Sequence, residues 1–220
     1  MESCITFKNL SIGYRPKHQL RVIASAVSAS LHPGELTCLI GANGVGKSTL
    51  LRTLCGFQPA LDGEILLQDQ PLSAYPAQQL ARQIGVVLTS RVDVPQLSVK
   101  EIVGIGRSPY TNFWGTLTPA DQQIVDEAIH QVGIPHLAQR NISELSDGER
   151  QKTMIAKALA QQTRIIILDE PTAFLDFPSK VETLQMLLRL AHEQHKAILL
   201  STHDVELALQ LADSLWLMEQ

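Results

Sequence analysis

Apolar and polar positions alternate twice in the first part of the chain. Ile5, Phe7, Leu10, Ile12 and Tyr14 mostly take every second place, and Val27, Ala29 and Leu31 do so again before a His32-Pro33-Gly34 turn. Period-two patterning bounded by turn residues predicts antiparallel strands with one buried face. The character then changes. Residues 36–40 (LTCLI), 84–88 (IGVVL), 165–168 (IIIL), 197–201 (AILLS) and 214–218 are short, almost continuous apolar runs. Such runs predict strands buried in the central sheet of an α/β domain. A further strand is expected over 63–67, followed by a polar turn at 68–71 and a short helix over 76–83.

Between 89 and 145 the signals become helical. Ser98 with Glu101 makes a capping box, and Thr118-Pro119 opens a helix whose stripe is Ile124, Val125, Ala128, Ile129 and Val132, stopped by Gly133. A helical insertion of this size between two strands of one sheet predicts a projecting subdomain. The next helix begins at a second capping box, Ser146 with Glu149, and buries Met154, Ile155, Ala158 and Leu159. After a turn at 173–176, a long helix carries Val181, Leu184, Leu187, Leu188 and Ala191.

Composition narrows the class. The chain has 220 residues, enough for one large α/β domain, and 45% apolar content is ordinary for a globular protein. Eighteen basic residues against 22 acidic ones give a net charge of −4 with no dense Lys/Arg block, which argues against a nucleic-acid partner. No apolar run approaches the roughly 18 residues of a membrane span, and MESCITFKNL lacks the basic start and apolar middle of a signal peptide. The expected place is the cytosol or the cytosolic face of a membrane. Cys4, Cys38 and Cys55 are odd in number and widely spaced, so reduced thiols are expected, with Cys38 and Cys55 buried.

The chemistry is concentrated at three stations. Residues 41–48 spell G-x-x-x-x-G-K-S between an apolar strand and a helix. Glycines let successive N–H groups curl inward, the helix adds its positive end, Lys47 can reach β- and γ-phosphates, and the Ser48 hydroxyl can ligate Mg²⁺. Thr49 supports the turn. The strand at 165–168 ends in Asp169 and Glu170, one placed to hold Mg²⁺ and the other to polarise an attacking water. Ser146, Asp147 and Gly148 expose a second helix N-terminus, either a plain cap or an anion site. Tyr14 reads equally as a core cap or as an aromatic that stacks on adenine. His203 follows a sheet strand's C-terminal end, where ligands bind in open α/β sheets. Tyr110, Phe113 and Trp114 cluster in SPYTNFWG, which suits either a docking surface or a small hydrophobic clamp.

In this order, and with LSDGE at 145–149, these features resemble the nucleotide-binding subunits of ABC transporters over nearly the whole chain. The resemblance implies a P-loop NTPase (ABC ATPase) fold: a RecA-like core sheet, an N-terminal antiparallel β subdomain and an inserted α-helical subdomain. It makes 1–220 one domain, with 1–88 and 146–220 as the core and 89–145 as the helical part. It also implies an ATPase that uses ATP and Mg²⁺ in a head-to-tail dimer with a second copy of itself. Gly41, Ala42, Asn43, Gly44, Val45, Gly46, Lys47, Ser48 and Thr49 of one copy would face Ser146, Asp147, Gly148 and Glu149 of the other. Tyr14 would stack on adenine, Glu170 would be the general base, and His203 would contact the γ-phosphate. Leu175 and Asp176 would communicate across the dimer.

GRSPY at 106–110 and IAKALAQ look most like the ATPases of importers for iron chelates, haem and cobalamin. That likeness implies integral membrane permease subunits contacted through 89–114, and indirectly a periplasmic or lipoprotein substrate-binding protein. It places the chain peripherally on the cytoplasmic side of the plasma (inner) membrane. Two positions depart from the family pattern. Thr89 stands where glutamine is usual, as a shorter oxygen near the metal, and Asp147 stands where the signature has glycine. Such subunits usually continue past Gln220, so a truncated or shortened member is expected. Other readings are a soluble non-transport ABC ATPase, for which a coiled-coil insertion or tandem cassettes would be expected, and a regulatory ATP-binding module.

Overall fold

The computed structural model describes residues 3–15, 20–88 and 96–219. In chain order the elements are β1 (Ile5–Tyr14), β2 (Arg21–Leu31), β3 (Leu36–Ile40), α1 (Lys47–Leu54), β4 (Asp62–Leu67), β5 (Gln70–Pro71), α2 (Ala77–Leu80), β6 (Ile84–Val87), α3 (Val99–Ile105) and α4 (Pro119–Gln131). They continue with α5 (Asp147–Ala160), β7 (Ile165–Leu168), α6 (Phe177–Gln194), β8 (Ala197–Thr202), α7 (Val205–Leu211) and β9 (Ser214–Leu217). Two sheets result. One is antiparallel with order β2-β1-β4-β5, and the other is parallel with order β6-β7-β8-β3-β9. This is the mixed α/β architecture that the resemblance implies.

The apolar runs explain the layering. Every residue of β3, β7 and β8 is buried, as strands covered on both faces require. Alternate side chains go to opposite sides. Leu36, Cys38, Ile166, Leu168, Ile198 and Leu200 pack with α3 to α7, whereas Leu39, Ile165, Ile167 and Leu199 pack against α1 and the antiparallel sheet's Ile5, Phe7, Leu10 and Ile12. The parallel sheet therefore separates two cores. Because its strands run the same way, their C-terminal ends share one edge, and the loops carrying the candidate chemistry leave from it.

Several boundaries differ from expectation for local reasons. The alternation in β1 skips a place between Phe7 and Leu10 because Asn9 adopts φ 49° and the pairing register shifts there. β2 begins at Arg21, well before its alternating part, and its first half is largely exposed. The polar turn at 68–71 is a tight hairpin in which Gln68 and Asp69 both take positive φ, with Gln70–Pro71 already paired to β4. Among the described residues no helix is long and apolar enough to cross a membrane.

The helical stretch is anchored by its own motif. Arg107, 5% exposed, donates to Asp121 Oδ1 at 2.9 Å, to the Ala160 carbonyl at 2.8 Å and to Gln162 Oε1 at 3.1 Å. Tyr110 lies under the guanidinium groups of Arg107 and Arg82, and its hydroxyl donates to the Gln161 carbonyl. Tyr110 is thus a clamp onto the end of α5. Phe113 and Trp114 are 94% and 83% exposed, touching each other edge to face, so the two readings of SPYTNFWG divide between its residues.

Candidate functional site

The site starts where β3 leaves the sheet. Gly44 and Gly46 take φ 81° and 115°, values that a side chain strains against, and a Cβ on Gly46 would lie 2.3 Å from Ile23 Cγ2. Val45 is buried and anchors the loop. The loop delivers Gly46 as the N-cap of α1, with no side-chain cap and no acidic residue in the first turn. That distinguishes α1 from α3, α4, α5, α6 and α7, whose caps Ser98, Thr118, Ser146, Asp176 and Asp204 each accept a bond from their own helix. The first N–H groups of α1 are left for a ligand, and the helix dipole makes that ligand an anion.

Lys47 is 4% exposed and turned into the loop. Its Nζ donates to the carbonyls of Gly41 at 2.7 Å and Ala42 at 3.3 Å, and lies 3.6 Å from Glu170 Oε1. Beside it the Ser48 hydroxyl donates to Asp169 Oδ1 at 3.0 Å. Asp169 is buried, and its N–H donates to the Val87 carbonyl at the end of β6. Thr49 is buried, and its hydroxyl shares a 2.8 Å hydrogen bond with Tyr14 Oη. That bond ties β1 to α1 and leaves Tyr14 44% exposed. Thus residues 41–49, Tyr14, Asp169 and Glu170 come together from distant parts of the chain.

One participant escaped sequence reasoning. Ser201, at the end of β8, donates to Asp169 Oδ1 at 2.7 Å and accepts from the Glu170 N–H at 2.9 Å. The only signal was a polar residue closing an apolar strand on the edge where Asp169 also ends a strand. His203 lies two residues further on and is exposed. Thr89 lies outside the described residues, as does the rest of 89–95.

The 146–149 segment is arranged differently. Ser146 Oγ accepts from the Glu149 N–H at 3.3 Å, while Glu149 Oε2 accepts from the Ser146 N–H at 2.9 Å and from its hydroxyl at 2.8 Å. The Ser146 backbone and hydroxyl donors hold the Glu149 carboxyl below the usual carboxylate range. Asp147 and Glu149 place two carboxylates in the first turn of α5, with Arg150 3.5 Å from Asp147. These bonds stay within the helix start and do not reach 41–49. A Cβ on Gly148 would sit 3.9 Å from Leu175 Cδ2, which sets this helix start beside the 173–176 turn.

The residues suit a magnesium-bound polyphosphate. Ser48 and Asp169 are hard oxygen donors already 3.0 Å apart, fitting a cation that takes few protein ligands and completes its shell from phosphate and water. Among the described residues there is no cluster of three or more His, Cys, Asp or Glu that would suggest a protein-caged metal.

Comparison with known proteins follows the same line. The family described as ABC transporter matches residues 24–173. An uncharacterized ABC transporter ATP-binding protein of Methanocaldococcus jannaschii is 41% identical, the match covering 96% of this chain and 72% of that protein. The iron(3+)-hydroxamate import ATP-binding protein of Bacillus subtilis is 35% identical over 91% of this chain and 73% of its own length. Among solved structures, cbiO1 from Clostridium perfringens, part of the ABC transporter complex cbiONQ, superimposes with a TM-score of 0.87 at 27% identity, covering 100% of this chain and 86% of that one.

Proposed function

The chain belongs to the ABC transporter family and is an ATPase of it, and from that premise we propose that it powers uptake of an iron chelate, haem or cobalamin through a separate membrane permease. In this reading it sits peripherally at the cytoplasmic face of the plasma (inner) membrane, and a substrate-binding protein engages the permease from the other side. The single observation that carries the ATPase part of the reading is the convergence at α1, and the importer part rests on the likeness to the hydroxamate import protein. An uncapped helix start, Lys47, the Ser48–Asp169 pair at 3.0 Å and Glu170 share one edge of the parallel sheet.

Each residue then has a task. The N–H groups of 41–49 bind the phosphates, and Lys47 leaves the carbonyls of Gly41 and Ala42 to neutralise them. Tyr14 stacks on the adenine. Ser48 and Asp169 would hold Mg²⁺, with the Thr89 hydroxyl as a further oxygen donor in this reading, and the ion would offset charge on the phosphate oxygens. Glu170 orients and deprotonates the attacking water, and His203 contacts the γ-phosphate. The 146–149 segment of a second copy closes the site from the opposite side in a head-to-tail dimer. Residues 1–88 and 146–220 form the nucleotide-binding core and 89–145 the helical part that meets the permease, with Phe113 and Trp114 as exposed contacts.

The test is Mg²⁺-dependent ATP hydrolysis by the native chain and by Glu170→Gln. The native chain is expected to turn over at least about a hundredfold faster. Native turnover as slow as the variant's would reduce the protein to an ATP-binding module.

A further inference from the structure

We propose that Ser201 is a positioning residue that sets both acidic residues after β7, holding the Asp169 carboxylate for the metal and the Glu170 backbone for water activation. The inference rests on the ATPase reading above and extends it to a residue behind the two acidic ones. Ser201 is wholly buried, at 0% exposure. Its hydroxyl has one proton, and the neighbours dictate where it goes. Asp169 Oδ1, at 2.7 Å, can only accept, so the proton points there. The oxygen's lone pairs are then left to accept the Glu170 N–H at 2.9 Å.

Both bonds have consequences. Asp169 Oδ1 receives two hydroxyl protons, one from Ser201 and one from Ser48 at 3.0 Å. Two donors from different elements, β8 and α1, fix the carboxylate's rotation, so the metal meets a preorganised ligand. Glu170 sits at φ 48°, a left-handed conformation that strains a residue with a Cβ. The Ser201 hydroxyl holds the Glu170 N–H in that conformation, and the turn so formed brings Oε1 to 3.6 Å from Lys47. One hydroxyl therefore couples the metal ligand to the general base, and two residues beyond it lies His203.

The test uses the full chain with Ser201→Ala and Ser201→Thr. Mn²⁺ is titrated by electron paramagnetic resonance onto protein saturated with a non-hydrolysable ATP analogue, and ATPase rates are measured separately against Mg²⁺ and ATP. Ser201→Ala is expected to weaken Mn²⁺ binding and lower kcat about tenfold each, the scale of lost ligand-orienting bonds, while KM for ATP stays within about twofold. Ser201→Thr keeps the hydroxyl and is expected within about threefold of the native chain in both. Ser201→Cys, close in size but a much weaker donor, should fall between them, and it replaces either variant that does not fold. Native Mn²⁺ affinity and native kcat in Ser201→Ala would overturn the proposal. A native chain with no Mg²⁺-dependent ATPase would sink the hydrolysis reading instead, and the Mn²⁺ titrations would still decide whether Ser201 positions the metal ligand.

Discussion

Replacing Glu170 by glutamine should tighten ATP binding as well as stop turnover, and the structure gives the size of the effect. Glu170 Oε1 lies 3.6 Å from Lys47 Nζ, the cation expected to serve the phosphates. Unit charges at that distance attract by about 4.6 kcal/mol at an effective dielectric of about 20. The Glu170 side chain is 24% exposed, so solvent screening leaves about 1–2 kcal/mol. A nucleotide must compete with this pairing for Lys47, and its phosphates must also approach the carboxylate. The amide removes both penalties and keeps the side chain's shape. At about 1.4 kcal/mol per decade, affinity should rise about 5- to 30-fold.

Titration with a fluorescent ATP analogue in EDTA gives the comparison without turnover in either protein. Low ionic strength should enlarge the difference and 1 M salt should shrink it, because the pair is partly solvated. The gain should also be smaller in a Lys47→Ala background, where no cation is contested. If Glu170→Gln binds the analogue no more tightly than the native chain at low salt, Glu170 does not restrain Lys47 and the reasoning fails.

Three further outcomes follow from the packing. Arg107→Met removes one partner of a buried ion pair together with two bonds to the end of α5, a loss of about 3 kcal/mol, which in a chain of this length lowers the melting temperature by about 6–12 °C. Adding Asp121→Asn should recover part of that loss, and a melting temperature unmoved by Arg107→Met would refute the clamp. Burial, reinforced by Asp213 beside Cys38 and Asp169 beside Cys55, pushes both thiols up to about 12 from their ordinary 9.0. Native protein at pH 8 should therefore leave both unlabelled by iodoacetamide while the unfolded chain reacts at all three cysteines. Because the unfolded thiols ionise near pH 9 and the folded ones do not, stability should fall as pH rises above 9 toward 12.

How much was legible beforehand depended on how far the partners lie apart in sequence. The phosphate loop is local: glycine spacing, the preceding apolar run and the helix start lie within 41–54, and each is what backbone geometry demands there. The capping boxes at Ser98 and Ser146 are likewise three-residue patterns, and both formed. Ser201 was missed because its two partners stand 32 and 31 residues away, and AILLST shows only that a polar residue closes the apolar run, not that it faces a carboxylate. The early part of β2 was missed for a different reason. It is held by pairing with β1 while largely exposed, so burial imposes no hydrophobic period on it. Tyr110 and Trp114 show the same limit, since proximity in sequence grouped them while the structure gave one to a clamp and left the other outside.

The two helix starts that the sequence offered as anion sites turn out to be unlike. At α1, Gly46 leaves the first turn uncapped and that turn carries no acidic residue of its own, so binding there displaces no side-chain cap. At α5, the Ser146 hydroxyl is engaged with Glu149, and two carboxylates stand in the first turn. A phosphate reaching that end must draw the Ser146 hydroxyl from Glu149 and meet the charge of Asp147. In the proposed dimer, affinity for nucleotide therefore resides in the α1 half-site of each copy. The α5 end can add to it only when another copy brings that end against a phosphate already charge-compensated by Lys47. An arrangement of this kind makes ATP binding precede closure, because the half-site that can act alone is the one whose helix-start N–H groups no side chain caps.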